Sequence, residues 1–307
     1  MSDDPAAGAK AYWDKAYQTD HKDQESIANH YTLASPLYWK LEGNRRFGNT
    51  GWEYGWQGWL KRVYGTPRRK RLLELGSGTG DLMMAFRKLE LAEAYTGVEI
   101  SDAALQAARE KARAKGYDEL RFVTGDLNGL DLAPASYDLI VAQMCIHHVE
   151  NLEGLFEVVR RALSPGGVFA INEYVGPTLW QFTDRQLLLV NSLLARLPER
   201  LRVCPSDGNR KPPVGRPTPE QMRALDPSES IRSGEIEAVF RRYFRVDHRI
   251  DYGGAVAVLL FDNIASNFRE DDPQSLRWFK LGLAIDRWAH RLRLVPPFNV
   301  ALAGRPL

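Results

Sequence analysis

Leu72-Leu-Glu-Leu-Gly-Ser-Gly-Thr-Gly-Asp-Leu82 is the stretch that decides the fold. An apolar strand runs into Gly76, Gly78 and Gly80, and a helix starts at about Asp81. Glycines are needed where a backbone turns tightly and approaches a ligand too closely to tolerate a Cβ. A nucleotide-derived ligand therefore lies across this first strand-to-helix turn, at the carboxyl ends of the strands. The spacing argues against a dinucleotide. G-x-G-x-x-G would place its third glycine at position 81, which is Asp81, and the glycine comes one residue early at Gly80. An acid at a helix start suits the helix but repels a pyrophosphate, which a dinucleotide must put there.

Working outward, the chain from Arg68 to about Val175 alternates short apolar strands with helical segments. Strands are predicted at Arg71–Leu75, Tyr95–Glu99, Leu120–Thr124, Tyr137–Gln143 and Gly167–Glu173. Between them lie amphipathic helices such as Ala103–Lys115, with Leu105, Ala108 and Ala112 on one face. Strict alternation implies βαβ units, and so an α/β doubly wound parallel sheet. Glu99 ends its strand nineteen residues after Gly80, where a carboxylate can accept hydrogen bonds from both ribose hydroxyls. Asp126 ends the next strand, within reach of an adenine amino group.

The flanks differ from this centre. Residues 1–67 hold five of the eight tryptophans, including Trp52 and Trp56, and read as helices that need another surface to bury their rings. Beyond Gly176, an insertion of about 176–233 carries a helix at Thr183–Leu197 and a Pro- and Gly-rich basic loop, Cys204 to Pro219, long enough to be mobile or functional. A strand at Phe244–Ile250, helices near Ala255–Phe268 and Gln274–Leu292, and a last strand at Phe298–Ala303 complete the chain. The division expected is a helical N-terminal lid (1–67) and a catalytic domain (68–307) carrying that helical cap. Two cysteines, Cys145 and Cys204, give no disulfide framework, and a reducing cytoplasm fits best. Net charge of +2 gives no hint of a nucleic-acid partner. No stretch approaches the roughly 20 apolar residues of a membrane span.

E-L-G-S-G-T-G, the acid of Gly97-Val-Glu-Ile100, Gly125-Asp-Leu127 and the strand Tyr137–Gln143 running into Ile146-His-His-Val149 together resemble class I S-adenosylmethionine-dependent methyltransferases. A sulfonium ligand with an amino-acid tail has no phosphate for Asp81 to repel. The resemblance implies a Rossmann-like sheet of seven strands with the last antiparallel, S-adenosyl-L-methionine as cofactor, S-adenosyl-L-homocysteine as product, and no metal. It implies that Glu74, Gly76, Gly78 and Gly80 surround the methionine part, with Ser77 among them. Glu99, with Ile100 beside it, would hold the ribose, Asp126 and Leu127 would flank the adenine, and Gln143 would line the sulfonium end. Glu173-Tyr-Val-Gly-Pro177 and Asp226-Pro-Ser-Glu-Ser-Ile-Arg232 resemble a bacterial subgroup associated with glycans or secondary metabolites.

Methyl transfer is an in-line displacement, so alignment does most of the work, and a base is needed only for a protonated acceptor. His147 and His148 follow the fourth strand and Glu173 ends the fifth; these are the catalytic candidates, His147 preferred. The alternatives are that one histidine caps the following helix and that Glu173 bonds backbone amides. Trp13 and Tyr17 lie four apart on one helix face, and with Tyr31 form a candidate lid over the site. Packing is the competing role for the pair. Tyr174, Trp180 and Arg232, with Arg210 and Lys211, are candidates to meet an anionic or polyhydroxylated acceptor, against a solvated basic loop.

The expected function is methyl transfer to a small-molecule acceptor: a natural product, a sugar or a glycan hydroxyl or amine. A non-catalytic binder of the same cofactor is the alternative. Nucleic-acid methylation is less favoured, because an Asn/Asp-Pro-Pro-aromatic turn would follow the fourth strand, where Gln143-Met-Cys-Ile146 stands instead. No nucleic acid is expected, and a homodimer is left open.

Overall fold

A computed structural model describes residues 5–19, 31–48, 55–65 and 67–307; Trp52 and Tyr54 lie outside the described residues. Seven strands form one sheet: β1 (Arg69–Leu75), β2 (Ala92–Glu99), β3 (Leu120–Thr124), β4 (Tyr137–Gln143), β5 (Leu163–Tyr174), β6 (Phe244–Asp251) and β7 (Asn299–Pro306). Their order is β3-β2-β1-β4-β5-β7-β6. The first five pair in parallel, and β7 runs antiparallel to both β5 and β6. The order reverses between β1 and β4, so their carboxyl ends open a crevice in which ligands of such sheets bind.

Alternation along β1 shows how the sheet is sandwiched. Leu72 points into one apolar cluster with Met83, Phe86 and Leu105, while Leu73 and Leu75 point into another with Ile140, Phe156 and Phe240. Helices α3 (Asp81–Lys88) and α4 (Asp102–Ala114) cover the first face, α5 (Leu152–Ala162) and α8 (Ile236–Tyr243) the second. Helix α4 is capped by Ser101, whose hydroxyl accepts from the Ala104 amide at 3.2 Å. Asn151 caps α5 in the same way.

The N-terminal segment packs on the first cluster. It comprises α1 (Pro5–Thr19), a helical run from Pro36 to Phe47 with a wide turn at Trp39–Gly43, and α2 (Gly55–Tyr64). Trp56, Trp59 and Phe47 are buried there, Phe47 within 5.5 Å of the Tyr252 ring. Between β5 and β6 come α6 (Asp184–Leu194) and α7 (Pro219–Leu225), and between β6 and β7 come α9 (Ala257–Phe261) and α10 (Pro273–Arg291).

Two sequence expectations change here. The helix expected over Ala255–Phe268 stops at Phe261, because Asn263 turns to φ 64° and a short 3-10 turn, Ala265–Asn267, comes after it. The basic loop from Cys204 to Pro219 is fastened down. Asn191 exchanges two hydrogen bonds with Val214, and buried Lys211 donates to the carbonyls of Leu259, Leu260 and Asp262. Lys211 thereby caps the end of α9, whose last carbonyls have no helical partner. Its ammonium is thus taken up by three carbonyls of this chain. No helix among the described residues is long and apolar enough to cross a membrane.

Candidate active site

The glycine turn after β1 is held by its own strongly bent backbone. Gly76, Gly78 and Gly80 have φ of 63°, 50° and 77°, values that favour glycine. A Cβ on Gly76 would lie 2.5 Å from that of Cys145, and one on Gly78 would lie 2.8 Å from the Tyr17 hydroxyl. Glu99 ties this turn to the end of β2: one carboxylate oxygen accepts from the Gly78 amide at 2.9 Å, the other from Ile100 and Ser101 at 2.9 and 3.0 Å. Burial raises the Glu99 carboxyl above its usual range, against the pull of these amides.

Below the turn, Glu74 is buried, and one of its oxygens has no hydrogen-bond partner; the same is true of the Ser77 hydroxyl. Burial, reinforced by the charges of Glu99 and Asp81, pushes the Glu74 carboxyl well above the ordinary carboxylate range. A donor or a cation delivered here would meet two waiting acceptors.

At the end of β4 the chain turns through Met144, at φ 51°. Glu173, fully buried at the end of β5, organises the residues of this turn. One of its oxygens accepts from the amides of Cys145 and Ile146 at 3.0 and 2.9 Å, the other pairs with His147 Nδ1. Burial alone would lower the His147 pKa, but the Glu173 charge and hydrogen bond outweigh it and raise it to about 9. His148 is pushed well below its usual value by burial and by His147, whose ring centre is 4.2 Å away.

Gln143 is fixed from both sides, its side-chain oxygen accepting from Trp56 Nε1 and, at 3.4 Å, from Asn172 Nδ2. Asn172 in turn accepts from the Tyr252 hydroxyl, and the Tyr252 carbonyl accepts from the Tyr38 hydroxyl at 2.7 Å. A chain of buried polar groups thus runs from the N-terminal segment to the end of β4.

A cavity of about 980 Å³ runs from Gly76 past Glu99 and Gln143 to His148; Glu74, Ser77, Gly78 and Gly80 lie behind its lining. Of the sequence candidates it brings together Gly76, Glu99, Ile100, Asp126, Leu127, Gln143, His148, Trp13, Tyr17 and Arg232. Helix α1 forms one wall. Its Trp13 ring meets His148 edge-on at 4.9 Å, and Asp14 accepts from the Ser101 hydroxyl and the Ala103 amide at 2.7 and 3.1 Å. The insertion forms the opposite rim with Asp226, Pro227, Ser228 and Ile231.

Other candidates lie elsewhere. His147 and Glu173 sit behind His148, and Tyr174 stands behind His147, its ring 6.1 Å away. Trp180 donates to the Ser230 hydroxyl and stacks near Phe182, and Tyr31 is half exposed; neither lines the cavity. Arg232 lends the cavity its stem, while its guanidinium is clamped by Glu153 and Glu235. Arg210 faces Glu199 at 3.4 Å. Sequence reasoning missed Tyr12, Met144, Asn128 and the rim residues Asp226 to Ser228. It also missed Trp56, Asn172 and Tyr252. Only the acid-rich Asp226-Pro-Ser-Glu229 gave a local signal.

A family model described as a methyltransferase domain matches residues 68–207. The chain is 26% identical over 181 residues to a demethylmenaquinone methyltransferase of Bacteroides fragilis, covering 58% of this chain and 71% of that one. It is 31% identical over 110 residues to a malonyl-[acyl-carrier protein] O-methyltransferase of Chlorobium phaeovibrioides, 36% of this chain and 42% of that one. The fold matches a geranyl diphosphate C-methyltransferase from Streptomyces coelicolor A3(2), solved with S-adenosyl-L-homocysteine, over the whole of both chains at 13% identity, with a TM-score of 0.54.

Proposed function

We propose that this chain is a class I S-adenosylmethionine-dependent methyltransferase that methylates a hydroxyl or amine of a small molecule: a natural product, a sugar or a glycan unit; the methyltransferase-domain match over residues 68–207 supports the class. One observation carries the placement of the donor. The partnerless oxygens of Glu74 and Ser77 lie under a glycine turn whose next neighbour is the Glu99 carboxylate. Two buried acceptors suit an ammonium-bearing tail, and a carboxylate at the end of β2 suits a diol. The residues fit S-adenosylmethionine, and the ammonium at the turn, that of Lys111, is taken by Thr79 and Asp81.

In this reading Glu74, Gly76, Ser77, Gly78 and Gly80 hold the amino-acid end. Glu99 and Ile100 hold the ribose, and Asp126 and Leu127 flank the adenine. Gln143, its oxygen already taken by Trp56 and Asn172, lines the sulfur end with its amide nitrogen. When bound, the donor supplies an electrophilic methyl group on a cationic sulfur. Trp13 and Tyr17 on α1 act as a lid, excluding water and presenting aromatic faces that suit a cation. The acceptor enters between α1 and the rim at Asp226–Ile231. There His148 faces it, and the Glu173–His147 pair behind His148 holds that turn in place. His148 is thus the wall at which the acceptor is activated, with His147 and Glu173 supporting it from behind. Relatives named for a quinone and for a malonyl thioester carrier support a small acceptor.

Calorimetry with S-adenosylhomocysteine, followed by transfer of labelled methyl to a panel of small hydroxyl and amine acceptors, tests the proposal. His148→Ala should lower kcat by about 100-fold or more with product affinity unchanged. Binding of NADH in preference to S-adenosylhomocysteine would sink the donor assignment, and undiminished turnover in His148→Ala would sink the acceptor wall.

A further inference from the structure

Resting on that placement of the acceptor, the geometry points to a divalent transition-metal site of the zinc type in the cavity wall, held by His147 Nε2, His148 Nε2 and the Glu229 carboxylate. These donor atoms all lie within 4.8 Å of one another. His147 Nε2 is 4.0 Å from one Glu229 oxygen and His148 Nε2 is 3.8 Å from the other. Both separations are too long for a hydrogen bond. They are a few tenths of an ångström wider than the ~3.4 Å edge of a tetrahedral site with bonds of about 2.1 Å.

The hydrogen-bond pattern behind the three groups determines what they offer. Glu173 pairs with His147 Nδ1, and a carboxylate can only accept, so a proton is held on Nδ1 and Nε2 is the nitrogen left to face a ligand. Ser228 donates its single hydroxyl hydrogen to Asp226 at 2.8 Å. Its oxygen must therefore accept from His148 Nδ1 at 3.0 Å, which leaves His148 Nε2 bare. Two imidazole Nε2 atoms and a carboxylate thus face one another, neither nitrogen within hydrogen-bonding distance of Glu229.

A divalent cation satisfies all three. The outer partners, Glu173 on His147 and Ser228 with Asp226 on His148, are what orient metal-binding imidazoles elsewhere. Two imidazoles and one carboxylate suit zinc and its neighbours rather than magnesium or calcium. Of the three, His148 lines the cavity, so an ion held here would sit in the cavity wall beside it.

Such an ion has a direct chemical consequence. An acceptor hydroxyl bound to it loses its proton to water, and its oxygen attacks the methyl carbon. The carbon–sulfur bond breaks with its electron pair staying on sulfur, and no oxidation state changes. The sequence reading expected no metal; the third ligand, Glu229, arrives from the insertion, far along the chain from the two histidines.

Chelator-stripped protein titrated with Co²⁺, a visible stand-in for Zn²⁺, should bind one equivalent and develop ligand-field absorption. Glu229→Gln, at a partly exposed side chain, and His148→Ala should each weaken that binding at least tenfold. Glu173→Gln should weaken it about 10–100-fold through His147 alone. Absence of a stoichiometric cobalt signal in the wild type, or the same signal in folded Glu229→Gln and His148→Ala, would overturn the site. S-adenosylhomocysteine calorimetry on the same samples keeps the two readings apart. Intact product binding without cobalt binding condemns only the metal, and cobalt binding without product binding condemns the donor assignment.

Discussion

The cavity has two halves that differ in how they are built. The half around the glycine turn is lined by Gly76, by Val98, Glu99 and Ile100, and by Gly125, Asp126 and Leu127, each group at the end of one of three neighbouring parallel strands. The half around His148 is gathered from α1, the β4 and β5 ends and the rim at Asp226–Arg232. In the first half, backbone bends and one carboxylate set the geometry. In the second, side chains distant in sequence hold one another: Glu173 fixes His147, Asp226 fixes Ser228, Ser228 meets His148, and the Ile231 amide donates to the His147 carbonyl at 3.2 Å. A substitution in the first half should change donor affinity alone, and one in the second should change turnover.

The largest expected effect lies in the first half. Gly78→Val puts a branched side chain at a left-handed φ, into the space between the turn and the Tyr17 hydroxyl. The strain costs about 1–3 kcal/mol of stability, which a 307-residue chain with an intact sheet should survive. S-adenosylhomocysteine binding should fall more than about 100-fold, because the ligand loses the backbone approach that the glycine permits. A folded variant that still binds within threefold of wild type would show that the turn does not touch the ligand.

Glu99→Ala should come next. It removes the acceptor of three amides, Gly78, Ile100 and Ser101, as well as the group assigned to the ribose. Product affinity should weaken by about 1–3 kcal/mol, roughly 5- to 150-fold. The comparison between halves sharpens if kcat at saturating donor stays near wild type. A collapse of kcat at unchanged affinity would mean that the two halves are coupled through this carboxylate.

Legibility in the sequence obeyed the same divide. Strands β3 and β4 were read to the residue, and β1 and β2 to within three: β4 is a continuous apolar run buried on both faces, the edge strand β3 turns Leu120 and Phe122 inward, and each strand ends at a fixed turn. Gly76, Gly78, Gly80 and Glu99 could be read for the same reason, since a local backbone need dictates each residue type. Trp56 reaching Gln143, or Asp226 orienting Ser228 for His148, is a tertiary contact with no local periodicity to announce it. The break after Phe261 was hidden similarly: an apolar helical run ends where Lys211, some fifty residues earlier, takes its last carbonyls.

Helix α1 bridges the halves, and its anchor offers the smallest effect. Asp14 caps α4 from outside through Ser101 and Ala103 and pairs with Lys10 at 2.9 Å, while Lys10 also reaches Asp102 at 2.8 Å. Burial opposes ionisation of Asp14, but the bonds from Lys10, Ser101 and Ala103 win and lower its pKa to about 2. Losing this cap in Asp14→Ala should cost about 1 kcal/mol, or ~2 °C in Tm. The depressed value sets the sign of the pH dependence. The contribution is complete above the unfolded pKa near 3.9 and disappears as pH falls toward 2. The gap between wild-type and Asp14→Ala melting temperatures should therefore be level from pH 8 to 5 and close only below about 4. Because α1 carries both Trp13 and Tyr17, the same variant should raise the acceptor KM and weaken product binding by similar small factors. A gap that widens on acidification would mean that Asp14 is held protonated, and that α1 docks by its aromatic face alone.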